Sequence, residues 1–87
     1  MAFRLEYRES AARQLRKLDR PIARAILDYM DEVADLDDPR SKGKGLSGEL
    51  VGLWRYRVGD FRIICRIVDS EVLIVALEIV HRANPYC

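Results

Sequence analysis

The sequence predicts an α+β domain: an N-terminal strand, a helical hairpin, then a three-stranded antiparallel meander, with one sheet packed on the helices. Three observations predict it. Apolar residues recur at helical spacing from Ala11 to Leu36, and they alternate with polar ones from Trp54 onward. Between the two patterns, residues 40–52 hold four of the chain's five glycines. At 87 residues the chain has room for one core, so a single domain over residues 1–87 is expected.

Phe3-Arg4-Leu5-Glu6-Tyr7 alternates apolar and charged side chains and reads as a half-buried strand. The period then lengthens. Ala11, Leu15 and Leu18 mark a short helix, with Ser10 ahead of it as the expected cap. Asp19-Arg20-Pro21 restarts the chain, since proline fits the first turn of a helix. Ile22, Ile26, Tyr29, Met30, Val33 and Leu36 form the apolar stripe of the second helix, which Asp37-Asp38-Pro39 stops. Residues 40–52 read as a loop carrying Lys42 and Lys44. Three strands follow, around Trp54–Val58, Phe61–Ile67 and Leu73–Ile79. Gly59-Asp60 makes a two-residue hairpin turn between the first two. A three-residue turn at Asp69-Ser70-Glu71 is preferred to a shorter one because it keeps Glu78 and Arg82 out of the core; it places Leu73, Val75, Leu77 and Ile79 inside.

Composition excludes several classes. With 49% hydrophobic and 33% charged residues and a net charge of +1, the chain is a globular domain rather than a disordered tail. No apolar run reaches the roughly 20 residues of a membrane span, and the N-terminus lacks the build of a signal peptide, so a cytoplasmic protein with no membrane partner is expected. One histidine and two cysteines without ligand spacing make a metal site or disulfide framework unexpected, and no cofactor is indicated. Cys65 reads as a small core residue.

The near-neutral total hides a local excess. Residues 1–40 carry eight Lys/Arg against nine Asp/Glu, whereas residues 41–66 carry six against two. A concentrated basic patch on a neutral chain points to a phosphate or an acidic partner. The Gly59-Asp60 turn sets Val58 opposite Phe61, Arg57 opposite Arg62 and Arg55 opposite Ile64. Arg55, Arg57, Arg62 and Arg66 therefore share one face, and Trp54, Tyr56, Phe61, Ile63 and Cys65 take the core face. Like charges directly opposite each other destabilise a sheet, and an anionic ligand would account for them. The tail His81-Arg82-Ala83-Asn84-Pro85-Tyr86-Cys87 adds an arginine, an imidazole and a phenol near the end of the last strand. An arginine cluster suits a phosphodiester and the extra charge of its pentacoordinate transition state. Attack by a ribose 2′-hydroxyl on its own 3′ phosphate needs no protein nucleophile, and it restricts the substrate to RNA.

Leu53-Trp54-Arg55-Tyr56-Arg57-Val58-Gly59-Asp60-Phe61-Arg62-Ile63-Ile64-Cys65, followed by Val80-His81-Arg82 and Tyr86, resembles the RelE/ParE superfamily of bacterial toxin–antitoxin toxins. The resemblance runs over nearly the whole chain and implies a RelE-like fold. It further implies a toxin neutralised by an antitoxin from a neighbouring gene, meeting operator DNA only through that antitoxin. In the RelE branch the toxin enters the ribosomal A site and cuts mRNA, leaving a 2′,3′-cyclic phosphate and a 5′-hydroxyl. By that carry-over Arg62 and Arg82 grip the scissile phosphate, and Tyr86 stacks on a base or assists proton transfer. Arg55 and Arg57 stand where the branch has two basic residues. Lys42, Lys44 and His81 are either further RNA contacts or ordinary solvated groups. The sequence departs from the pattern in having arginines where the founding branch has lysines, and in a tail that places Tyr86 after Pro85. The competing expectations are a ParE-like, non-enzymatic inhibitor of DNA gyrase and a module that only pairs with an antitoxin or operator DNA.

Overall fold

The helical hairpin and the meander are both present in the computed structural model, which describes residues 2–83. The chain runs through β1 (Arg4–Tyr7), α1 (Glu9–Lys17), α2 (Arg20–Asp35), β2 (Lys44–Gly45), β3 (Trp54–Val58), β4 (Phe61–Val68) and β5 (Leu73–His81). Short 3₁₀ turns stand at Pro39–Ser41, Gly48–Leu50 and Asp69–Glu71. All five strands make one sheet in the order β1-β5-β4-β3-β2. β1 is parallel to β5 and every other pair is antiparallel. The class is the expected one. The extra strand arises because Lys44 and Gly45 pair with Arg55 and Trp54 inside what reads as a loop.

The position of β5 between β1 and β4 explains its composition: a strand flanked on both edges is nearly continuously apolar, here Leu73-Ile74-Val75-Ala76-Leu77. The helices cover one face of the sheet. Ala11 of α1 and Ile26, Met30 and Val33 of α2 are buried against Tyr56, Ile63, Cys65, Ile74, Ala76 and Ile79. Phe3, Leu5 and Tyr7 pack at the margin of this core, as the alternation of β1 requires. α2 ends where Leu36 turns extended, two residues ahead of Asp38, whose own helical conformation is disfavoured by Pro39.

Two expectations about β5 need correction. The connection from β4 has four residues rather than three, because Val68 pairs with Leu73. Val72 closes it in the left-handed region (φ 52°), a strained conformation for a β-branched residue, and its carbonyl accepts the Arg4 amide at 2.8 Å. The longer turn puts Ile74 and Ala76 in the core in place of Val75 and Leu77. A β-bulge then reverses the parity: Cys65 pairs with Ala76 but Ile64 pairs with Glu78, leaving Leu77 without an opposite residue. Beyond the bulge Ile79 returns to the core, as expected.

Beyond Ala76, the last residue of β5 that β1 pairs with, α1 supplies the hydrogen bonds. Ser10 Oγ donates to the Leu77 carbonyl at 2.8 Å, and Gln14 Oε1 accepts the Ile79 amide at 2.8 Å. Ser10 is therefore inside α1 and does not cap it; Arg8 holds the N-cap position with no side-chain bond. At the other end of the sheet, the buried Tyr56 hydroxyl donates to the Pro39 carbonyl at 2.6 Å. Arg40 of the same turn grips Asp69 bidentately at 3.0 Å, holding the Asp69 carboxyl below its usual range.

Gln14→Met keeps the bulk of the side chain but leaves the part-buried Ile79 amide unpaired. Urea unfolding should show a loss of about 1–3 kcal/mol, and an unchanged midpoint would show that the Gln14 bond is dispensable.

Burial pushes the Tyr7 phenol up to about 12, with the Asp31 and Cys65 charges adding to it, and burial alone pushes the Cys65 thiol up to about 12. Tyr56 is raised as well, chiefly by burial. The folded state holds these protons more tightly than the unfolded chain, whose ordinary values are 9.0 for the thiol and 10.0 for the phenols. Their contribution is therefore complete below those values and is lost as pH rises from them up through the raised folded-state values, at up to about 1.4 kcal/mol per pH unit per group. The melting temperature should fall steeply in that alkaline window. The Tyr7 hydroxyl is buried without a hydrogen-bond partner, so Tyr7→Phe should flatten the fall without destabilising the protein at neutral pH.

Candidate functional site

The sheet face away from the helices carries the basic residues in rows set by strand register. One row runs Lys44, Arg55, Ile64, Glu78 across β2, β3, β4 and β5; the next runs Arg57, Arg62, Val80. The Gly59-Asp60 turn fixes both. Gly59 takes φ 58° while Asp60 keeps a negative φ, the pattern of a type II′ turn, and Val58 pairs with Phe61. Arg57 and Arg62 then form a directly opposed like-charge pair, as expected.

Arg62 is shared by two adjoining hollows. The first, of about 340 Å³, is bordered by Lys44, Ser47, Arg55 and Arg62 over an apolar floor of Ile64 and Val80. The second, of about 370 Å³, is bordered by Arg57, Arg62, His81 and Arg82. Guanidinium groups thus line both hollows, with Arg62 common to the two. Their charge persists at any physiological pH.

Local contacts set the orientation of the second hollow. The Asp60 carbonyl accepts the Arg82 amide at 2.7 Å, and the Asp60 carboxylate lies 3.3 Å from Arg82 Nε. The guanidinium is held from its Nε side. His81 stacks edge-on against Phe61, with ring centroids 5.1 Å apart, and its Nδ1 accepts the Ala83 amide at 3.1 Å.

The structure brings together Lys44, Arg55, Arg57, Arg62, His81 and Arg82 of the expected site residues. Lys42 is placed elsewhere: its ammonium lies 5.4 Å from the Tyr29 ring centroid, toward α2. Arg66 shares the basic face but borders different hollows, beside Glu6 and beside Asp69. Tyr86 lies outside the described residues. Among the described residues no group of three or more His, Cys, Asp or Glu is placed to hold a metal ion.

Four contributors to the site are not legible as such in the sequence. Ile64 and Val80 are 4% and 8% exposed, although parity assigns them to the charged face. Ser47 reaches the first hollow from the glycine-rich segment, which has no period to read. Asp60 was legible as a turn residue, but its ion pair with Arg82 depends on where β5 ends.

The family model described as the ParE toxin of type II toxin-antitoxin system, parDE, matches residues 5–86. Toxin RelG of Mycobacterium tuberculosis is 33% identical over 87 residues, covering 99% of this chain and 98% of that one. Toxin RelE of the same organism is 32% identical over 77 residues, 88% of this chain and 78% of its own length. In the crystal structure of the toxin–antitoxin complex RelBE2 from M. tuberculosis, a chain 29% identical to this one superposes with a TM-score of 0.86, over 97% of this chain and 95% of that chain.

If the two hollows form an anion site, inorganic pyrophosphate should raise the melting temperature of the wild-type protein by mass action. Arg62→Ala should abolish that rise. It should leave the anion-free melting temperature unchanged or slightly higher, because it removes one member of the opposed arginine pair. An equal pyrophosphate response in Arg62→Ala would place the anion elsewhere.

Proposed function

The chain belongs to the RelE/ParE superfamily of type II toxin–antitoxin toxins, and from that premise we propose that it is a ribosome-dependent mRNA endoribonuclease of the RelE-like branch. The observation that carries this reading is the position of Arg62 between two cationic hollows, with Arg82 across the second. Cleavage proceeds by attack of a 2′-oxygen on the adjacent phosphorus. The bond to the 5′-oxygen breaks, the 2′-hydroxyl proton leaves to a base, and the departing 5′-oxygen gains a proton. The products are a 2′,3′-cyclic phosphate and a 5′-hydroxyl. Two arginines on the scissile phosphate stabilise the added negative charge, and their forks hold the phosphate in line. Arg55, Arg57 and Lys44 hold the flanking backbone, with His81 a further contact at the rim. Tyr86 stacks on the reacting base or moves a proton. Lys42 takes no part, since it faces Tyr29.

The partner is a cognate antitoxin encoded beside the toxin. The relatives solved with an antitoxin support this, RelBE2 being such a complex. An acidic or amphipathic segment that orders on binding fits the basic face and keeps it from RNA. Operator DNA is met through that antitoxin. The reading of the chain as a gyrase inhibitor draws its support from the ParE description of the matching family model.

Programmed ribosomes test the reading. Wild-type protein should cut ribosome-bound mRNA, and the new ends should map inside the A-site codon. Arg62→Ala and Arg82→Ala should each lower the cleavage rate by about 10²–10³-fold. Arg62→Lys should also lose activity, because it keeps the charge and loses the fork. Tyr86→Phe should cleave normally if Tyr86 stacks and fail if it moves a proton; Tyr86→Ala should fail in either case. Arrest of gyrase by a protein that leaves mRNA intact would replace this reading with the ParE-like one.

A further inference from the structure

β2 contributes Lys44 to the first hollow, yet it is only two residues long and its Lys44 sits directly opposite Arg55. Neither fact favours the arrangement. A two-residue strand forms too few ladder bonds to persist alone, and opposed cations repel. Something else holds Lys44 there.

Trp54 grips the chain on both sides of it. Its Nε1 donates to the Lys42 carbonyl at 2.7 Å, two residues before Lys44. Its ring lies against Gly45, the next residue, so closely that a Cβ added there would sit 3.1 Å from Cζ3. Gly43 permits the approach. It takes φ 79°, and a Cβ on it would run into the Arg55 carbonyl oxygen and come within 2.8 Å of Trp54 Nε1. Trp54 belongs to the inner face by its pairing with Cys65, so its ring passes under the edge of the sheet and clasps β2 from behind, leaving Lys44 on the outer face beside Arg55 and Arg62. The bare glycines and the indole are complementary, as when an aromatic residue covers an edge glycine.

We propose that Trp54 is a positioning residue that holds Lys44 in the cleft as a contact for an RNA phosphate; this rests on the RNA-cleaving reading above. Trp54 touches no RNA. Its effect passes through the Lys42 carbonyl and Gly45 to the ammonium of Lys44.

Trp54→Phe tests this, since it keeps an aromatic ring in the core margin and removes the N–H. Binding of a short fluorescent single-stranded RNA is followed by anisotropy across a KCl series, and exchange of the amides in residues 42–46 by hydrogen–deuterium mass spectrometry, on the full-length protein. Removing one lysine–phosphate interaction lowers the slope of log K against log salt by about 0.7 for a single strand. Trp54→Phe and Lys44→Ala should each lower the slope by that amount, and the double variant should lower it no further. Exchange in residues 42–46 should quicken about fivefold in Trp54→Phe, the scale of one net hydrogen bond, while β4 and β5 stay protected. Wild-type exchange of residues 42–46 in Trp54→Phe would overturn the clasp. So would a wild-type salt slope in Trp54→Phe where Lys44→Ala shows a reduced one. A wild-type slope in Lys44→Ala, or no RNA bound by the wild-type protein, with faster exchange still seen in Trp54→Phe, would overturn the phosphate contact while leaving the clasp's geometry standing, which locates the failure in the RNA reading.

Discussion

The two hydrogen bonds between α1 and β5, Ser10 Oγ to the Leu77 carbonyl and the Ile79 amide to Gln14 Oε1, stand in for the strand that β1 is too short to provide. Without them the second half of β5 would present unpaired backbone groups in a part-buried place, an expensive arrangement. With them, a helix that packs on the sheet face also completes its edge. β5 then reaches as far as His81, and its end delivers Arg82 to the turn carrying Asp60. The cationic face thus depends on a polar contact on the other side of the sheet.

The bulge at Leu77 belongs to the same constraint. It switches which residues of β5 face the helices, so Ile74, Ala76 and Ile79 all reach the core although their spacing is irregular. The outer face receives Val80 as a result, and together with Ile64 it gives the first hollow an apolar floor between charged walls. Charge alone would hold a phosphate. An apolar floor beside it also accommodates the flat, poorly hydrated surface of a base.

The periodic parts of this design are legible in the sequence. Arg55, Arg57 and Arg62 alternate with core residues around a glycine turn, so their common face followed from the sequence, and the register confirms it. β2 could not be read because two residues contain no period, and a lysine followed by a glycine has no strand character. The bulge could not be read because Leu73 to Leu77 are apolar at every position, so parity carries no information there. Ser10 was a reasonable cap by residue type; it became a cross-element donor only because the sheet edge needed one. Tyr86, whose role came from the family resemblance, lies beyond residue 83.

The parallel pairing of β1 with β5 joins residue 4 to residue 73. In a chain made from its N-terminus, the first strand must wait for the last one, and contacts so distant in sequence form late because their loop-closure entropy is paid first. A nascent chain can form its helical hairpin early, but it cannot close this sheet, or set Arg82 beside Asp60, until residues 73–82 have been made. The basic face is therefore among the last parts of the molecule to be assembled, and no nascent fragment that stops short of β5 presents it whole.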